Sequence, residues 1–204
     1  MKRVILILCI LAIAFYFFLP EKKITFGPGQ VAPDPPVQKR LLNAQPKNTN
    51  GYLVKPLAQF NMQARVLSIR KYYFGQESRV SPMDAVFGWG PMSDERVLDD
   101  ISISQHGRWY FWRSNDLPIP KADIQIHSAN MHLIPATDNI KKTMKQMRIG
   151  HVVNLKGKLV NVSAADGWKW KSSMRRTDTG QGSCEVIWVE SLEFITRPDN
   201  QQKF

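Results

Sequence analysis

The chain has 204 residues, a net charge of +11, 43% hydrophobic and 22% charged residues. That length holds one domain of about 150 residues and no second core, and the apolar fraction excludes general disorder. The two cysteines, Cys9 inside an apolar run and Cys184 far downstream, exclude a disulfide scaffold. The positive charge does not by itself indicate a nucleic-acid binder, because residues 1–51 carry seven Lys/Arg against two Asp/Glu, and the remainder, at +6, intersperses acids with bases.

Residues 4–19 are sixteen consecutive uncharged, mostly apolar residues, preceded by Lys2-Arg3 and followed by Pro20-Glu21-Lys22-Lys23. As a helix they reach about 24 Å, short of a bilayer core of about 30 Å unless the flanking Lys and Arg snorkel. The run ends in Phe15-Tyr16-Phe17-Phe18 rather than in small residues, which suits an interfacial belt and not a signal-peptidase site. The expectation is an uncleaved signal-anchor over 1–20. The small excess of positive charge before it places the N-terminus inside, so in a bacterium the rest would be periplasmic on the inner membrane. Residues 21–51 are rich in Pro, Gly, Gln and Asn with no apolar period, and read as a spacer holding the domain tens of ångströms away.

The soluble domain is expected over 52–197, with a polar tail at 198–204. Phe60, Met62, Ala64, Val66 and Ser68 alternate with Asn61, Gln63 and Arg65, which predicts a first strand. Ser81-Pro82-Met83-Asp84 reads as a turn, and Ser93-Asp94-Glu95 as the cap of a short helix. Residues 101–112 read as a strand or hairpin, and 124–127 as a short strand. Thr137 or Asp138 can cap a helix burying Ile140, Met144 and Met147, ended by Gly150. Strands over 151–162, with Gly157 at a bulge or tight bend, and over 184–194 complete the order. The fold class is therefore mainly β (α+β), a small OB-like β-barrel or sandwich with one or two short helices.

The sequences HSANMHLIP at 127–135 and GWKWKSSMRRTDTGQGSCEVIWVE at 167–190 resemble a group of uncharacterised bacterial membrane-anchored proteins. The resemblance covers about the last 145 residues and implies a source and a location, with no activity attached to it.

Candidate chemistry is sparse. His127 and His132 with Asp178 or Cys184 could supply a nucleophile or an acid–base pair, but no nucleophile elbow and no zinc spacing accompany them, and neither metal nor cofactor is expected. Arg175 and Arg176 beside Asp178 could clamp an anion, or simply pin the long 163–183 connection. Trp168 and Trp170, on one side of a strand-like alternation, could stack on sugars or bases, with Asn130 as a polar contact. The leading expectation is a non-enzymatic, membrane-anchored envelope protein whose β domain binds a partner protein or joins a membrane complex. The alternatives are an envelope hydrolase using His127 or His132 with Asp178 and Arg176, and an OB-like glycan or nucleic-acid binder, with nucleic acid disfavoured by the charge distribution.

Overall fold

The computed structural model describes residues 24–175 and 184–195. The expected anchor, Arg176, Asp178 and the 198–204 tail lie outside them; among the described residues no helix is long and apolar enough to cross a membrane. In chain order the elements are β1 (Val37–Arg40), β2 (Lys47–Thr49), β3 (Tyr52–Lys71), α1 (Gln76–Val80), β4 (Met83–Gly88), a 3-10 turn (Gly90–Ser93), α2 (Glu95–Leu98), β5 (Ser102–His106), β6 (Trp109–Arg113), α3 (Lys121–Ile126), β7 (Ser128–Pro135), α4 (Asp138–Lys145), β8 (Val152–Ala164), β9 (Lys169–Trp170) and β10 (Glu185–Ile195). The protein is mainly β, as expected.

Five of the strands pair in a ring: β3 with β4, β4 with β7, β7 with β10, β10 with β8, and β8 back to β3. Every pair is antiparallel except β7–β10. Alternate residues turn inward, and Ala58, Phe60, Met62, Met131, Leu133, Leu155, Leu159 and Ile187 fill the barrel, with Met144 and Met147 packed into the same core. α4 forms as its cap predicts, the Thr137 hydroxyl accepting from the Ile140 N–H.

Two bulges in β3 decide which face its residues meet. At Pro56/Ala58 the register shifts by one, so Tyr52 and Val54 pack on the outside with Val160, Val162 and Val186, while Phe60 and Met62 face in. The second shift, between Val66 and Ser68, turns Ser68 outward to donate to Gln105, although alternation alone puts it with the core set. Gly157 lies where β10 approaches closely, since a Cβ there would be 2.1 Å from the Trp188 carbonyl oxygen.

Three elements differ from the sequence reading. Met83-Asp84 belongs to strand β4, not to a turn; all six β4 residues are buried, so no alternation marks them. Residues 124–127 are not a strand: Ile124 and Ile126 lie in α3, whose end is closed by the Ser128 hydroxyl donating to the Ile124 carbonyl and by the His127 ring on the Asp123 carbonyl. Four short α-helices are present among the described residues rather than one or two: α2 and α4 start at the caps read from the sequence, whereas α1 and α3, of 5 and 6 residues, show no periodic apolar face.

The expected spacer also has a structure. β1 pairs with β3 and β2 with the start of β3, and residues 24–32 run along the barrel as a strap. Phe26 and Gly27 donate to the Glu95 carboxylate at 2.8 and 3.0 Å, Gly29 to Asp94 at 3.1 Å, and Ala32 to the Ser93 hydroxyl. Its backbone groups are thus satisfied by side chains far along the chain, which no local pattern reveals.

Those bonds make the strap sensitive to acid. Asp94 is held down to about 2 by its hydrogen bond from Arg96, against burial, with the Gly29 and Arg96 N–H groups assisting. Burial pushes Glu95 up, but the Arg65 hydrogen bond, the Phe26 N–H, the guanidinium charge and the Gly27 N–H outweigh it, and the net is a lowered value. Folded values below the unfolded ones mean a contribution complete above pH of about 4–5 and lost as the pH falls through the folded values. The Gly29 amide resonance is expected to move to its random-coil position as the pH falls from 4 to about 2, and that of Gly27 below the ordinary glutamate range, while barrel amides keep their shifts. Strap and barrel amides moving only together would contradict this.

Candidate functional site

The outer faces of β4 and β7 carry a buried polar network. Asp84 on β4 lies between an arginine and a histidine: the Arg108 guanidinium donates to Oδ1 at 2.7 Å, and His132 Nδ1 on β7 approaches the same oxygen at 2.9 Å. The His132 contact is off the line of a hydrogen bond, leaving Asp84 Oδ2 and His132 Nδ1 without one. Arg108 also donates to the Ser81 carbonyl, and its guanidinium carbon sits over the Tyr72 ring, 3.7 Å from the centroid. Burial first, then the Asp84 charge, raise the Tyr72 phenol above its ordinary value, with Arg108 opposing, so it keeps its proton.

The network continues along β7. Asn130 accepts from Gln105 at 2.8 Å and donates to the Arg108 carbonyl at 2.9 Å, and Gln105 accepts from Ser68. Gln105 and Arg108 belong to the β5–β6 hairpin, whose strands pair in register through His106↔Trp109 around the Gly107-Arg108 turn. Arg108 holds a left-handed φ of 71°, uncommon outside glycine, and its side-chain and carbonyl partners fix it there. Beneath the hairpin, Val86, Met92, Ile101 and Ile124 form an apolar layer with Ile103, Tyr110 and Trp112. The hairpin is thus seated by apolar burial and oriented by the polar network.

A second cover comes from residues 164–173. Trp168 meets Tyr52 edge-on at 5.9 Å and Trp170 at 5.9 Å, and Trp170 packs on His132 at 4.6 Å. Both tryptophans are half-buried in this row rather than presented together as an open stacking platform. The strand-like alternation read there is met by β9, and its pairing with β8 is what the sequence did not show.

The other candidates are dispersed. His127 ends α3 and lies against Gly90, where a Cβ would sit 2.7 Å from its ring; its partner is the Asp123 carbonyl, whereas His132 faces Asp84. Cys184 is half-buried ahead of β10, and its carbonyl accepts from Ser173. Asn130 is 2% exposed and committed to the network. Arg175 is exposed, its N–H donating to the Ser173 hydroxyl, and it lines a cavity of about 1030 Å³ with Arg40 and Lys55; Gln38 closes one wall by donating to the Met174 carbonyl. Among the described residues no three His, Cys, Asp or Glu side chains converge as metal ligands would.

Sequence reasoning found His132 and Asn130 but missed their partners Asp84, Gln105 and Arg108, which stand 22–48 residues away in the chain. An Asp, a His and an Arg can move protons and stabilise an anion, but the Asp84 and His132 side chains are 0% and 3% exposed. A general base has to come within hydrogen-bond reach of its substrate, and here Arg108 and Trp170 occupy that approach. As it stands, the arrangement holds the hairpin and the 164–173 segment onto the barrel. No protein-family model, no curated protein and no solved structure matches the chain.

Proposed function

We propose that this chain is a membrane-anchored protein of the bacterial cell envelope whose barrel, of the OB type, binds a partner protein through the outer face of the β5–β6 hairpin. The ring order supports the OB assignment: numbering the ring strands along the chain, the first pairs with the second, the second with the third, the third with the fifth, the fifth with the fourth and the fourth with the first, with α4 between third and fourth. In such barrels the second and third strands commonly carry ligands. Here that surface is covered by the hairpin, so recognition moves outward to the cover.

The observation that carries the reading is on β6. Trp109 and Phe111 point away from the barrel, 37% and 54% exposed, while their neighbours Tyr110 and Trp112 pack beneath. Two large aromatics on a rigidly seated flap, with Arg113 next on the same side, have the composition of an interface core. The alternative of an envelope hydrolase has less support, because His132 is enclosed and His127 is engaged at a helix end. A photo-crosslinking residue at position 111 of the full chain in native membranes is expected to give a discrete adduct that disappears with Trp109→Ser. The same residue at the exposed Leu42 position should give none; equal adducts from both positions, or none from 111, would sink the proposal.

One observation favours a second reading. The Arg40, Lys55 and Arg175 cavity has no carboxylate among its described lining residues and offers amides at Gln38, Asn43 and Gln45, a donor-rich wall suited to an anionic glycan. Arg40→Gln with Lys55→Gln would abolish glycan binding if that reading holds, and leave the crosslink from 111 unchanged.

A further inference from the structure

The strap changes where the domain can stand relative to a membrane. The Ile24 N–H donates to the Ile149 carbonyl at 3.3 Å, and a Cβ on Gly150 would lie 1.9 Å from the Ile24 carbonyl oxygen, so the chain is packed onto the domain from residue 24 onward. Arg65 holds the same carbonyl. If residues 4–19 span the bilayer, five peptide steps separate Leu19 from Ile24, a reach of about 17 Å when fully extended. Headgroups take up about 5–7 Å of it. The domain then cannot stand tens of ångströms away.

What the tether brings close is the α4 end of the barrel. Lys141, Lys142 and Lys145 are exposed on α4, with Asp138 and its cap at the far end, and Ile149 is 46% exposed one residue before the Gly150 contact. Beside α4 a cleft of about 530 Å³ is lined by Lys71, Lys141 and Lys145 together with Tyr72, Tyr73 and Met144, and has no carboxylate in its described lining. Tyr73 in that lining is 76% exposed, and the next residue, Phe74, is 92% exposed. Lysines interleaved with an exposed Tyr, Phe and Ile are the mixture that sits at a lipid headgroup boundary, the cations on phosphates and the apolar groups below them.

We infer that the α4 end of the barrel, through Lys71, Lys141, Lys142, Lys145, Tyr73, Phe74 and Ile149, lies directly on an anionic bilayer surface. This rests on the anchor reading of residues 4–19. The contact fixes the orientation of the barrel and leaves the hairpin face of Trp109 and Phe111 free for a partner.

The test uses the full chain, with Cys9→Ser and Cys184→Ser, reconstituted in vesicles of phosphatidylglycerol and phosphatidylcholine carrying headgroup-level nitroxide lipid. A fluorophore is placed in turn through Phe74→Cys, Ile149→Cys and, as control, Phe111→Cys, with Lys142→Cys as a further reporter should a label at 149 disturb the Ile24 contact. Quenching at 74, 142 and 149 is expected to be several-fold stronger than at 111, and to fall towards the control level in Lys141→Gln/Lys142→Gln/Lys145→Gln or in phosphatidylcholine alone. A chain that floats with the vesicles but shows equal quenching at all positions overturns the orientation while leaving the anchor standing. A chain that does not float at all overturns both.

Discussion

Replacing Arg65 with Met is expected to cost about 3 kcal/mol of stability, because it leaves a mostly enclosed carboxylate without its cation. The Arg65 side chain is 1% exposed and pairs with Glu95, itself 14% exposed, while donating to the Ser93 and Ile24 carbonyls at 3.3 Å. Without the guanidinium, Glu95 keeps only the Phe26 and Gly27 N–H groups, and the start of the strap loses its central tie. The double variant Arg65→Met/Glu95→Gln is expected to recover much of the loss, since removing both charges removes the desolvation penalty with the pair. Urea unfolding of the full chain in detergent reads both; a single-variant cost below about 1 kcal/mol would show that water reaches the pair. The strap amides should exchange faster in Arg65→Met even where the barrel stays folded.

Asp84→Ala is the second large effect, about 3 kcal/mol or more, for the reciprocal reason: it leaves Arg108 and His132 enclosed without their shared carboxylate. The loss is expected to fall first on the hairpin. Arg108 there holds a left-handed φ, its Asp84 bond contributes to that conformation, and its carbonyl holds Asn130. Hydrogen exchange in 102–113 should therefore rise ahead of exchange in β3 and β8, and the crosslink from position 111 should weaken although neither Trp109 nor Phe111 has changed. A hydrolase would behave otherwise, losing turnover under Asp84→Asn with hairpin protection intact. Protection unchanged in Asp84→Ala would remove the structural role assigned to the network.

Where periodicity was strong, the elements were legible in advance. The alternation from Phe60 to Val66, the Thr137 cap with Met144 buried behind it, and the tight approach at Gly157 follow from backbone geometry and side-chain spacing within a few residues. β4 was not legible, since a strand buried on both faces has no alternation to read. β1 and β2 were hidden for another reason: all but Val37 of their residues are polar and most are exposed, and they are strands only because β3 offers them an edge.

By itself, then, the sequence determined a mainly β domain after an apolar N-terminal run, the position of its best helix, and the absence of a disulfide scaffold. Which face each β3 residue meets, which acid His132 faces, and how far the domain stands from residue 24 were decided by tertiary structure alone. Hydrophobic period acts over neighbouring residues, whereas the Asp84 to His132 approach spans 48 positions and the Phe26 to Glu95 bond 69. Such contacts exist only once the ring of strands has closed, and closure is set by the whole chain burying one core.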